Sequence, residues 1–218
     1  RGSALGDERI FTKRTQSELG ELSVDILLDG SASQNRQQEK LAAQAYIIAE
    51  SLTRCRIPAR VSAFCSLSGC TVVRVLRDYG EDGKNDAIFD YVSAGWNRDG
   101  LALRAVGWLM RKTRSDRKLL IMLSDANPND DEKIPRAGLL PGGRVYGGKA
   151  GIEDTKREAA ALRRAGIAPV CVFTGSDAEL DGARQIYGRN LTRIPSVGWF
   201  ADAVARLIIG EIKGMTGE

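Results

Sequence analysis

The chain contains no histidine. That absence removes Ser-His-Asp and Cys-His catalysis, histidine-ligated zinc and the commonest general base. A metal bound here would be held mainly by oxygen, which points to Mg²⁺, Mn²⁺ or Ca²⁺. Cysteine is scarce too: Cys55, Cys65, Cys70 and Cys171 form no CxxC pair. With no secretory signal pattern at the start, they read as reduced thiols of a cytoplasmic protein. Cys65 and Cys171 fall in apolar runs, where a small buried thiol is the simple explanation. Aromatics make up 6% and never interleave with basic clusters, so the net charge of +4 does not point to nucleic acid. No apolar run approaches the roughly 20 residues needed to span a bilayer. The phosphate-loop pattern GxxxxGK followed by Ser or Thr is missing, so the chain itself is not expected to hydrolyse ATP.

What is there is an alternation of strand and helix. Residues 1–19 are polar and lack a period, which suggests an arm or the end of a linker. Glu21–Leu28 is a strand with a nearly continuous apolar end, as expected for a central strand covered on both faces. Gln34–Leu52 is helical, with Leu41, Ala45, Ile48 and Leu52 on one side. Arg60–Cys65 and Thr71–Arg77 are strands joined by a link too short for a crossover, hence an antiparallel hairpin. Ala87–Ser93 suggests a short helix or helical turn, and Gly100–Arg114 a helix with Leu101, Ala105, Trp108 and Leu109 aligned. Lys118–Ser124 is a second buried strand. Residues 126–151 read as a long loop rich in Asn, Pro, Gly and Asp. Then come a helix over Ile152–Ala165, a strand over Ala168–Phe173, a helix over Ala178–Tyr187, a short strand at Asn190–Ile194 and a final helix over Trp199–Ile212. The pattern predicts a single α/β domain over 20–213, with a tail over 214–218. Its fold class is a doubly wound, mostly parallel sheet, one antiparallel strand near an edge, and helices on both faces.

Ligands of such sheets bind beyond the carboxyl ends of the strands, where the strand order switches. Three polar features fall on that edge. Asp29, Ser31 and Ser33 follow the first strand; the turn Asn97-Arg98-Asp99-Gly100 precedes a helix; Asp125 follows a second buried strand. Carboxylates, hydroxyls and waters suit a hard octahedral cation. The plain alternative for Asp29-x-Ser31-x-Ser33 is a helix cap, since Asp and Ser are favoured there. Asp154 reads most simply as a charge at a helix start, or as support for the metal. Asp130 and Asp131 read as solvated loop charges, Arg104 as a surface charge that could pair with a site carboxylate, and Tyr146 as a residue packing the long loop against the site.

The run VDILLDGSAS resembles the DxSxS of the metal-ion-dependent adhesion site (MIDAS) in von Willebrand factor A domains, and the order of elements agrees. More narrowly, NRDGLALRAVGWLM, KLLIMLSDANPND and GIEDTKREAAALRRAGIAPVCVF resemble the A domains of NorD-type nitric oxide reductase activation proteins and their CobT-like cousins. The resemblance implies a Mg²⁺ site of Asp29, Ser31 and Ser33, with Asp125 in direct or water-mediated contact. Many A domains carry a Thr before the third helix. Here Asn97 takes that place by count, while Asp99 is the better ligand by chemistry. The function implied is a non-enzymatic, metal-dependent interaction domain. It would work with a MoxR-type AAA+ ATPase in activating, or inserting the cofactor of, a target metalloenzyme, with a partner Asp or Glu completing the metal shell. Two alternatives stand beside it. One is a Mg²⁺-dependent phosphohydrolase of haloacid-dehalogenase type, which needs an Asp where Ser31 stands. The other is a metal-free structural domain of the same fold.

Overall fold

The computed structural model of the protein describes residues 22–135 and 143–193. The expected arm over 1–19, the helix over 199–212 and the tail over 214–218 lie outside the described residues. The chain opens with β1 (Leu22–Asp29), whose side chains from Ser23 onward are all buried. A 3-10 segment over Ala32–Gln37 leads into α1 (Gln38–Arg54), which buries Leu41, Ala45, Ile48 and Leu52 as the periodicity predicts. Next come β2 (Ala59–Leu67) and β3 (Cys70–Arg77), an antiparallel pair in which Leu67 faces Cys70. The turn is therefore Ser68-Gly69 rather than the longer link over 66–70, both residues having positive φ. A 3-10 turn over Asn85–Asp90 precedes α2 (Asp99–Arg111), and β4 (Arg117–Ser124) follows.

The stretch 126–151 is not a structureless loop. It holds a small antiparallel hairpin of β5 (Asp130–Pro135) and β6 (Gly143–Tyr146), and then the first turn of α3 (Gly148–Arg164). Its Asn, Gly and Pro content hid the hairpin, whose strands are short and polar. The chain continues through β7 (Ile167–Phe173), α4 (Leu180–Tyr187) and β8 (Leu191–Arg193).

The main sheet runs β3-β2-β1-β4-β7-β8, parallel throughout except for β3 at one edge. Two cores flank it. On one face Val24, Ile26 and Leu28 of β1 meet Leu119, Ile121 and Leu123 of β4 and the apolar side of α1. On the other, Leu27, Leu120 and Met122 pack under α2, α3 and α4. Here α2 corrects the sequence reading: its buried stripe is Ala102, Leu103, Val106, Gly107 and Met110, while Trp108 is 56% exposed under the Lys112 ammonium. Two apolar stripes run along this helix. The buried one contains Gly107, where the absence of a side chain lets α2 approach Leu162 of α3 closely.

A polar group is buried within the second face. Asp25 of β1 pairs with Arg60 of β2 at 2.7 Å and accepts a hydrogen bond from the Tyr79 hydroxyl. Burial raises the Asp25 carboxyl above its ordinary range, against the lowering effect of Arg60. Arg77, fully buried at the edge, donates to the Ala59 carbonyl and pairs with Asp82.

Candidate metal centre

The sheet order reverses on either side of β1, so β1 and β4 run side by side and end together at the switch point. Asp29 closes β1 and Asp125 follows β4. A tight turn is needed between β1 and the 3-10 segment, and Gly30 makes it possible. Its N–H donates to the Phe64 carbonyl at 2.7 Å, and a Cβ at this position would lie only 2.7 Å from that same oxygen. The turn brings the three DxSxS side chains round to Asp125. The Ser31 and Ser33 hydroxyls are 3.0 Å apart, and Ser33 donates to Asp125 Oδ2 at 2.8 Å. Ser31 stands at the start of the 3-10 segment, yet its hydroxyl makes no capping bond. The cap reading of the motif is thus not the one its hydroxyls follow. The Ser31 N–H closes locally, onto Asp29 Oδ1 at 2.9 Å.

Asp99 arrives from the other side. Asn97 pairs with Asn129 as an isolated bridge, which seats the turn before α2 beside the end of β4. Asp99 then opens α2 fully buried, and its Oδ2 has no hydrogen-bond partner. The Asn97 amide is oriented by the Asn129 N–H, which donates to Asn97 Oδ1 at 3.2 Å. Its Nδ2 therefore faces the carboxylates, donating to Asp99 Oδ1 at 3.0 Å and to Asp29 Oδ2 at 3.4 Å. The structure thus brings Asp29, Ser31, Ser33, Asp99, Asp125 and Asn97 to one end of the sheet, Asn97 as a donor among acceptors.

Burial and mutual repulsion disfavour the charged forms of these carboxylates. Burial, then the charge of Asp125, pushes Asp29 up to about 6. Burial, then the charges of Asp29 and Asp125, raises Asp99 well above the usual range. Asp125 is raised by burial, with the Ser33 hydroxyl pulling the other way. Among the described residues no three Asp, Glu, Cys or His side chains group closely enough to hold a metal by themselves. Any cation here therefore needs the serine hydroxyls and water as well as carboxylates.

Sequence reasoning missed three supporting residues. Ser124 donates to Asp29 Oδ2 at 2.8 Å, Gln34 to Asp125 Oδ2 at 2.7 Å, and the Tyr91 hydroxyl to the Asp29 carbonyl. Ser124 could have been found as the last residue of its strand, next to Asp125; the other two carry no local signal. Asp154 lies in the second turn of α3, where it accepts from the Tyr146 hydroxyl at 3.1 Å and pairs with Arg157. It packs directly over Gly100 without a hydrogen bond to the other carboxylates. Tyr146 is buried beside it, and Arg98 stacks over the Tyr146 ring at 5.0 Å. Asp130 is not a solvated loop charge: it is buried and held by Arg98 Nε at 2.5 Å, which ties the β5–β6 hairpin to the Asn97–Gly100 turn. Arg104 pairs with Glu158 at 2.6 Å, away from the site carboxylates.

Comparison with known proteins places this architecture. The chain matches the vWF domain of the type V pili tip protein Mfa5 from Porphyromonas gingivalis with a TM-score of 0.63 and 10% identity, covering 88% of this chain and 96% of that one. It matches the pilus adhesin SpaC of Lactobacillus rhamnosus GG at 0.58 and 16% identity, over 89% of this chain and 30% of that one. Proximal thread matrix protein 1 of the mussel byssus, solved with a zinc-occupied MIDAS motif, matches at 0.54 and 15% identity, over 86% and 47%. The fold is that of a von Willebrand factor A-like domain. Among curated sequences, NorD of Stutzerimonas stutzeri is 29% identical over 113 residues, 50% of this chain and 16% of that protein. An uncharacterized protein of Pseudomonas aeruginosa is 27% identical over 161 residues, 72% of this chain and 24% of that protein. The chain thus spans a quarter or less of the length of these relatives. No family model matches it.

Proposed function

We propose that this chain is a metal-dependent protein-interaction domain that performs no covalent chemistry of its own. Asp29, Ser31, Ser33, Asp99 and Asp125 hold a divalent cation, Mg²⁺ in a cytoplasmic setting, with Mn²⁺ and Ca²⁺ as substitutes. The observation that carries this reading is Asp99: a fully buried carboxylate with an unpartnered oxygen, beside two more carboxylates of raised pKa. A buried acceptor without a donor is costly, and a cation supplies what it lacks. The residues present fit a hard ion that prefers oxygen and keeps several waters. Once bound, such an ion would offer an exchangeable position to an incoming carboxylate. Asn97 holds Asp29 and Asp99 in place from the side, and Ser33 and Gln34 hold Asp125. Asp154, reached through Gly100 and Tyr146, supports the turn that carries Asp99.

The similarity to NorD supports a finer reading. In it the domain belongs to an adaptor that works with a MoxR-type AAA+ ATPase to activate, or load the cofactor of, a metalloenzyme. A partner Asp or Glu completes the metal shell. Asp29→Ala is expected to abolish Mg²⁺-dependent capture of the ATPase while leaving the fold intact. Equal capture by that variant, or by EDTA-treated protein, would contradict the mechanism.

A further inference from the structure

The surface next to the carboxylates exposes large apolar side chains on hydrogen-bonded backbone. Trp96 is 42% exposed and Leu67 46%, although each is anchored. Trp96 and Ser66 exchange backbone hydrogen bonds of 2.7 and 2.9 Å, and the Leu67 side chain rests against Gly95. Val92, 62% exposed, lies on the same segment, which is tied to the metal turn by the Ala94 N–H donating to the Gly30 carbonyl. The exposure is thus built in rather than the result of a loose loop. Between Trp96 and the Ser31 and Ser33 hydroxyls lies a depression of about 360 Å³, completed by Asn127 and Asn129 and lined by no charged residue.

We infer that this collar selects the partner: an extended segment of another protein whose metal-seeking Asp or Glu is flanked by an aromatic or large aliphatic residue seated against Trp96 and Leu67. The inference rests on the metal-dependent reading above. A small polyanion would find no Lys or Arg in the depression's wall to bind its further charges. A peptide finds an apolar wall for its side chain, neutral amides for its backbone, and the metal turn for its carboxylate, which is the mix of apolar anchor and polar rim found in protein interfaces.

The test uses the full chain in saturating Mg²⁺, followed by NMR. The probes are acetyl-Gly-Phe-Asp-Gly-amide, the same peptide with Gly for Phe, and the same with Asn for Asp. The Phe-Asp peptide is expected to bind about tenfold more tightly than the Gly-Asp peptide, as burial of part of an aromatic ring predicts, and to move the Trp96 indole signal. Trp96→Ala and, separately, Leu67→Ser should each reduce that preference below about threefold. Both variants should keep the Mg²⁺-induced rise in melting temperature, which shows that fold and site survive. Equal or absent binding of the Phe-Asp and Gly-Asp peptides, with the Mg²⁺ rise present, overturns the collar alone. Equal binding of the Phe-Asp and Phe-Asn peptides overturns its link to the metal. A Trp96-dependent dimer assigns the face to a second copy instead and also overturns it. Absence of the Mg²⁺ rise in the wild type removes the underlying reading.

Discussion

Asn97 and Asp99 compete for one role in the sequence, and the backbone separates them. The Asn129 N–H occupies the Asn97 oxygen, so Asn97 offers only donors to the carboxylates, while Asp99 keeps a free acceptor. The protonation of these carboxylates carries a testable sign. The folded pKa of Asp29 is raised to about 6. Between its unfolded value of ~3.9 and that value, the folded state binds more protons than the unfolded state. The stability contributed by this group is therefore highest at the acid end and is lost as pH rises towards 6; Asp99 and Asp125 act in the same direction. In metal-free buffer, the wild type should lose stability relative to Asp29→Asn between about pH 4 and 6. A flat or rising difference in urea midpoints would refute this. With Mg²⁺ the trend should reverse, because a cation binds the ionised forms. A second residue-scale prediction concerns Arg60. Its removal leaves Asp25 buried without its cation, so Arg60→Ala should cost about 3–5 kcal/mol in denaturant unfolding.

Elements explain which of these features could be read from the sequence. DxSxS was legible because it follows a fully buried strand and its residues are close in sequence. The antiparallel β2–β3 pair was legible because so short a link allows nothing else. The β5–β6 hairpin was not: its strands are polar, and it is tied to the turn before α2 by Arg98, which donates to Asp130 and to the Glu132 carbonyl across more than thirty positions of sequence. The buried face of α2 was misjudged because close packing through Gly107 outweighed the larger side chains opposite. Two substitutions test the element scale. Arg98→Ala should release the hairpin, seen as faster amide exchange in β5 and β6, and lower stability by about 1–3 kcal/mol as Asp130 loses its charged partner. Unchanged exchange there would mean the hairpin is held by other contacts. Gly30→Ala should force the metal turn away from the Phe64 carbonyl, costing about 1–3 kcal/mol and weakening Mg²⁺ binding. Wild-type Mg²⁺ affinity in that variant would show that the turn is not what assembles the site.

At the scale of the whole molecule, the sheet sets β1, which ends in Asp29, beside β4, which Asp125 follows, and the turn before α2 brings in a third carboxylate. Among the described residues no helix is long and apolar enough to cross a membrane. The central claim is that these oxygens hold a cation in the native state alone. It is tested most directly by thermal unfolding of EDTA-treated protein at pH 7.5 while Mg²⁺ or Mn²⁺ is added. A native-state ligand at a hundred times its dissociation constant adds about 2.7 kcal/mol. For a chain of this size that corresponds to a rise of roughly 5–10 °C in melting temperature. The account predicts that rise for the wild type and its loss in Asp29→Ala and Asp99→Ala. An unchanged midpoint at saturating Mg²⁺ and Mn²⁺ would contradict it and leave a metal-free structural domain of the same fold.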